Sequence, residues 1–148
     1  MGSDGAGGTS WQLGTPSVVG PASAASPVNC FGTNLAGNYN LEADIWLRSP
    51  TIDLSAAGGA TLRYNQFRDI EDGFDFGFIR VLRASDNAQL GPDIASEISG
   101  TSGDWETFRA NLPAEALGEV IKIEFQLVSD DVENFRGWYI DNVEIVHQ

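Results

Sequence analysis

The sequence contains little of the side-chain chemistry that many hydrolases and metal proteins use. It has one cysteine, Cys30, and one histidine, His147, among its 148 residues. A single cysteine cannot form a disulfide within the chain or a cysteine-rich zinc site. A single histidine one residue from the end disfavours a Ser-His-Asp triad, a Cys-His pair and a histidine-based metal site.

Basic residues and long apolar runs are also scarce. The chain has 8 Lys and Arg against 21 Asp and Glu, which gives a formal net charge of −13. Such a chain repels phosphate groups, so we expect neither nucleic acid nor an anionic membrane surface as a partner. No apolar run approaches the roughly 20 residues of a membrane helix, so we expect no membrane insertion.

The remaining composition is typical of one folded domain. The length suits a single core, and the hydrophobic content of 42% is too high for disorder. Residues 1–10 are rich in Gly and Ser, which predicts a flexible N-terminal segment before a single domain at 11–148. Prolines and small residues at 14–29 predict a loop or an irregular edge segment.

Apolar residues alternate with polar ones in several short segments. The clearest is 120–128, where Ile121, Ile123, Phe125 and Leu127 share one face. Alternation of this kind predicts half-buried strands there and at 61–67 and 76–83, with weaker strands at 44–48, 105–109 and 138–146. Only 114–117 suggests a helical turn. Many short strands with Gly-rich turns predict an all-β sandwich or barrel with little helix.

The apolar pattern changes face near the C-terminus. Trp138 and Ile140 have one parity, whereas Val143 and Ile145 have the other. One inserted residue around 141–142, a β-bulge, would place all four on the same side. Because bulges often redirect a side chain, Asp141 is a candidate site residue; alternatively, the bulge only adds twist.

Several blocks of the sequence resemble a known domain family. Residues 137–143 read Gly-Trp-Tyr-Ile-Asp-Asn-Val, and residues 47–55 read Leu-Arg-Ser-Pro-Thr-Ile-Asp-Leu-Ser. These blocks, with others at 31–39, 71–75 and 105–130, resemble in order the MAM-like jelly-roll domains of secreted bacterial proteins. That group includes choice-of-anchor J domains, cleaved-adhesin domains and the accessory domains of immune-inhibitor-A-type peptidases. The segment 88–103 departs from the family pattern.

The resemblance implies a jelly-roll-type antiparallel β-sandwich, of the concanavalin or galactose-binding-like kind, at the bacterial cell surface or outside the cell. It also implies a structural calcium ion. From the residues alone, Glu71 and Asp75 lie four apart in a Gly-containing loop and can enclose one Ca²⁺. We expect Asp141 to close this site, with oxygens from Asn34, Asn38 or Asn40. The alternative is that these side chains cap turns through backbone N–H groups.

A second candidate site lies on the strand at 44–48. Alternation places Ile45 and Leu47 inward, so that Asp44, Trp46 and Arg48 share the outer face. An aromatic ring with a polar pair suits the stacking of a sugar. Alternatively, Trp46 packs under a loop such as 88–103.

Three functions fit these features. The first is a non-catalytic extracellular interaction or adhesion domain that binds protein, and an apolar patch or an open edge strand would favour it. The second is a carbohydrate-binding module that uses Trp46 to bind polysaccharide. The third is a polysaccharide-active enzyme, which requires a pocket with two carboxylates about 5–9.5 Å apart.

Overall fold

The computed structural model describes residues 2–3, 10–17, 19–26 and 28–147. These residues form strands and one 3-10 helical turn at Ala114–Ala116. The strands are β1 (Gly2–Ser3), β2 (Gln12–Gly14), β3 (Cys30–Gly32), β4 (Asp44–Arg48), β5 (Ile52–Asp53), β6 (Ala60–Ile70), β7 (Phe76–Arg83), β8 (Ala95–Ile98), β9 (Gly100–Thr101), β10 (Glu106–Asn111), β11 (Val120–Val128) and β12 (Gly137–His147). The predicted strands are therefore confirmed, with small differences at their ends.

The strands pair in two antiparallel sheets. Sheet A has the order β1-β4-β11-β7-β8, with β5 also paired to β11. Sheet B has the order β10-β6-β12-β3-β2, with β9 also paired to β6. The predicted all-β sandwich with little helix is confirmed.

The core lies between the sheets, as the alternation predicts. On β11, Ile121, Ile123 and Leu127 are fully buried, and Phe125 is 2% exposed. The Phe125 ring meets the edges of Tyr64 and Trp138 from sheet B at centroid distances of 5.3 and 5.8 Å. Each such side chain stabilises the fold by about 1.5–3 kcal/mol through burial.

The segment 88–103 extends the sheets at their edges. It forms β8 beside β7 in sheet A and β9 beside β6 in sheet B. Strand β8 of this segment is therefore three positions away from β4, the strand that carries Trp46, in the order of sheet A.

At the N-terminus, Gly2–Ser3 pair with β4, which adds them to sheet A. The predicted flexible segment otherwise falls largely on residues 1 and 4–9, which lie outside the described residues, as does Gln148.

Strand β12 runs through the middle of sheet B and contains the predicted bulge. Asp141 lies opposite Asn65 and Glu144 lies opposite Arg63, so that β12 has one extra residue in this interval. Asn142 takes up the distortion with a positive φ of 53°. As a result, Ile140 and Ile145 both pack on the main core, which confirms the predicted change of parity.

Candidate functional site

Three carboxylates meet at one end of the sandwich. Glu71 and Asp75 lie in the turn between β6 and β7, and Asp130 lies just beyond β11, the antiparallel neighbour of β7. One oxygen from each lies within 4.8 Å of the other two. We call these three residues the carboxylate cluster.

Asp75 is fixed inside this cluster. It is fully buried, and it accepts hydrogen bonds from the Tyr39 hydroxyl (2.6 Å) and the Asp130 backbone N–H (2.7 Å). The Tyr39 hydroxyl in turn accepts a hydrogen bond from the Glu71 N–H at 3.1 Å. Glu71 Oε2 is buried without a hydrogen-bond partner among the described residues. A buried carboxylate oxygen without a donor is suited to binding a cation.

The electrostatics of the cluster also favour a cation. Burial raises the pKa of Glu71, and the charges of Asp130, Asp75 and Glu133 raise it further. Burial raises the pKa of Asp75 as well, although its hydrogen bonds from Tyr39 and Asp130 oppose this effect. A bound cation would offset the repulsion between these acids.

The spacing of the cluster suits a single cation. Ca²⁺ takes oxygen ligands at 2.3–2.6 Å, so oxygens within 4.8 Å of one another can share one ion. The three acids could supply part of a calcium shell, and backbone oxygens and water would supply the rest.

The structure does not bring Asp141 to this cluster. Asp141 lies opposite Asn65, and about 20 Å of strand β6 separates Asn65 from Glu71. Its carboxylate instead accepts hydrogen bonds from the N–H groups of Ser26 and Asn142, both at 2.8 Å. Asp141 therefore caps the bulge and fixes the loop at Ser26.

The predicted asparagine ligands take part mainly in turns. Asn34 accepts from the Ala36 N–H at 3.1 Å and donates to the Asn38 carbonyl at 3.1 Å. The Asn38 amide donates to Asn134 Oδ1 at 3.2 Å. The Asn40 carbonyl accepts from the hydroxyl of Ser129, the residue before Asp130, at 2.7 Å. Asn40 is therefore hydrogen-bonded to the residue that precedes Asp130 of the cluster.

Asp130 was absent from the predicted ligand set. It lies 55 residues after Asp75, and no local spacing connects the two residues. The available signal is the pairing of β7 with β11, because the start of one antiparallel strand lies beside the end of the other.

The outer face of sheet A carries the second candidate site. Asp44, Trp46 and Arg48 are half-buried on this face, while Ile45 and Leu47 point into the core. Gln126 of β11 lies between Trp46 of β4 and Phe78 of β7. Arg48 lies over the Trp46 ring at 5.5 Å, and Arg80 lies over the Phe78 ring at 5.0 Å.

A polar network lies between these two rings. Glu124 accepts hydrogen bonds from Arg48 (2.7 Å) and Arg80 (3.3 Å). Gln126 donates to Asp44 at 2.6 Å and accepts a hydrogen bond from Arg80. We call this surface the outer aromatic platform, and its polar groups are already hydrogen-bonded to one another.

A third site, which the local pattern does not indicate, is a cleft of about 530 Å³ between the sheets. We call it the inter-sheet cleft. Its apolar lining comes from Phe31, Leu47, Ile52, Phe125, Val143 and Ile145. Arg48, Asp53, Glu144 and His147 add polar groups. The cleft is thus an apolar opening with a charged margin.

Solved structures share the arrangement of these sheets. The K1 cleaved adhesin domain of Lys-gingipain from Porphyromonas gingivalis W83 matches with a TM-score of 0.69 and 21% identity, over 98% of this chain and 87% of that one. The K3 cleaved adhesin domain of Lys-gingipain from the same organism matches with a TM-score of 0.63 and 18% identity, over 97% and 87%. The chain therefore has the jelly-roll fold of the cleaved-adhesin domains, and the predicted resemblance is confirmed.

A relative in sequence is Bacillopeptidase F of Bacillus subtilis (strain 168). It is 35% identical over 133 residues, which make up 90% of this chain and 9% of that protein. The chain thus spans about a tenth of the length of this curated relative. No family model matches the sequence. In the described part of the chain, no helix is long and apolar enough to cross a membrane.

Proposed function

We propose that this chain is a non-catalytic interaction and adhesion domain of a secreted bacterial protein, which acts at the cell surface or outside the cell. The observation that carries this proposal is the inter-sheet cleft beside strand β12, of which one side lacks a partner beyond Ile140 within the described residues. Open apolar surface next to an edge strand is typical of protein interaction sites. Similarity to one segment of a much longer peptidase supports an accessory role.

A structural calcium ion in the carboxylate cluster belongs to this proposal. The ion would link the turn between β6 and β7 to the end of β11, through Glu71, Asp75 and Asp130. It would satisfy the buried Glu71 oxygen and stabilise the native state by mass action. We assign it no catalytic step.

The outer aromatic platform supports a second candidate function, that of a carbohydrate-binding module. Trp46 and Phe78 lie two strand spacings apart, which is about 10 Å. That distance is similar to the length of a disaccharide unit in an extended polysaccharide. The ordered amide and carboxylate groups between the rings could bind sugar hydroxyls.

Binding of the domain, in solution, to two immobilised panels tests these functions. One panel holds extracellular matrix proteins, and the other holds insoluble polysaccharides, both in calcium buffer. We expect retention on proteins that Trp46→Ala does not reduce. Retention only on polysaccharide, lost in Trp46→Ala, would instead establish the carbohydrate-binding function. Release of sugars or peptides from either panel by the domain would contradict a non-catalytic role.

A further inference from the structure

Sheet B becomes narrower along the length of β12. At Ile140 the sheet has five strands abreast, because Glu106, Gln66, Ile140, Phe31 and Leu13 lie in one row. At Ile145 it has three, because Ile145 pairs with Leu62 of β6, and β6 pairs with β10. Strand β3 pairs with β12 only at Tyr139 and Ile140. In the described ranges, nothing pairs with that side of β12 beyond Ile140.

The uncovered part of β12, residues 143–147, is an open strand edge. In an antiparallel ladder, every second residue points its N–H and C=O away from the strand with which it pairs. In residues 143–147, the N–H and C=O groups of every second residue therefore face away from β6. The side chains of Val143 and Val146 are 41% and 57% exposed. Such an edge is a template for the backbone of another strand.

The inter-sheet cleft lies where the next strand of sheet B would be. Val143 and Ile145 border it from β12, while Leu47, Ile52 and Phe125 border it from sheet A. A strand added to β12 would therefore place every second side chain against apolar groups. The open edge can thus hydrogen-bond the backbone of the occupant, and the apolar lining can contact every second side chain.

We propose that the inter-sheet cleft binds an extended peptide segment of a partner protein, which adds to sheet B along residues 143–147. This inference rests on the proposed interaction function and specifies its partner. The segment carries apolar residues at alternate positions. It is flanked by Lys or Arg, because the chain has a net charge of −13 and Asp53 lies beside the cleft, where the neighbouring Arg48 is already paired with Glu124.

A second copy of the chain would not fill this cleft. If two β12 strands paired, the inward side chains of each would be Val143 and Ile145, which already line the cleft of their own copy. The cleft needs a strand whose inward side chains are free. A peptide from another protein meets this requirement.

Hydrogen exchange measured by NMR on the full chain tests the proposal. The probe is a ten-residue peptide with three alternating Thr-Val pairs between Lys-Lys ends. We expect it to protect amides within 143–147. Val143→Glu should weaken binding by about tenfold or more, because a charge would enter the apolar cleft. Val132→Glu is the control, since Val132 is also exposed (69%) but lies in the loop before β12, at the opposite end of that strand from residues 143–147.

A second peptide tests the backbone contribution. N-methylation of alternate residues removes the donors that a strand needs, so it should abolish binding. Equal affinity for both peptides would show apolar binding without strand addition and overturn the proposal. Two other results would also overturn the proposal. One is that amides 143–147 show no protection up to the solubility limit of the peptide, and the other is that the chain forms a dimer through β12 in the absence of the peptide. If matrix proteins still bind fully to Val143→Glu, the interaction function stands and only this assignment fails.

Discussion

At the residue scale, one buried side chain connects several parts of the core. Gln66 is 5% exposed, and its oxygen accepts hydrogen bonds from Trp138 Nε1 and the Tyr64 hydroxyl, both at 3.0 Å. Its amide donates to Glu106 at 2.9 Å. A buried polar group of this kind stabilises the fold only while all of its partners are satisfied.

We expect Gln66→Leu to lower the free energy of unfolding by about 2–5 kcal/mol, because it leaves two buried donors without an acceptor. Urea denaturation measures this change. Gln89→Leu, the same substitution at an exposed position, should change it by less than about 0.5 kcal/mol. Similar small effects at both positions would show that the core tolerates the unpaired donors.

The carboxylate cluster leads to a prediction about single ligands. In the wild-type protein, calcium at 100 times its dissociation constant should raise the melting temperature by about 5–10 °C. Asp130→Asn should abolish this shift, whereas Asp141→Asn should retain it, because Asp141 is bonded to Ser26 instead. Thermal unfolding with calcium and with EDTA measures both variants. The reverse result would favour the calcium ligand set predicted from the sequence.

At the element scale, β12 depends on its bulge. Without the extra residue, Val143 and Ile145 would point to the opposite face of sheet B, and the inter-sheet cleft would lose one wall. The bulge needs a residue that tolerates a left-handed backbone, and Asn142 supplies it at φ 53°. Hydrogen bonds from Ser26 and Asn142 to Asp141 support this geometry.

Substitution of Asn142 tests this account of the bulge. Asn142→Val should lower the free energy of unfolding by about 1–2 kcal/mol, because a β-branched residue is strained at positive φ. Asn142→Gly is the paired control and should change it by less than about 0.5 kcal/mol. Denaturant unfolding of the two variants gives the comparison. Equal stability would show that the bulge rearranges without strain.

At the scale of the whole molecule, the buried acids make stability depend on pH, and we expect a bound calcium ion to change this dependence. Glu71 and Asp75 have a raised pKa in the folded chain, chiefly because of burial. Between the ordinary carboxyl pKa near about 4 and these raised values, the folded chain binds more protons than the unfolded chain. Their contribution to stability therefore decreases as the pH rises through this window.

In EDTA, we expect the free energy of unfolding to increase as the pH falls from neutrality toward the ordinary carboxyl pKa. Saturating calcium should flatten or reverse this trend, because the ion stabilises the deprotonated acids. Glu71→Gln should weaken the trend in EDTA, since it removes one of these groups. Denaturant unfolding at several pH values tests all three statements, and the same slope with and without calcium would contradict them.

The sequence determined most of the sandwich by itself. A period of two in apolar residues is a local property, so the core faces of β4, β7 and β11 could be predicted without knowing their partners. The same reasoning located the bulge, because a parity change at 141–142 requires an inserted residue. The scarcity of cysteine and histidine already narrowed the possible chemistry.

Only the tertiary structure decided which side chains meet. Asp130 rather than Asp141 joins Glu71 and Asp75, because the pairing of β7 with β11 brings together residues that are far apart in sequence. The inter-sheet cleft likewise exists because β3 stops pairing while β12 continues, which is a property of two strands and not of either alone. Alternation fixes the face on which a residue lies, whereas register and strand length fix its neighbours.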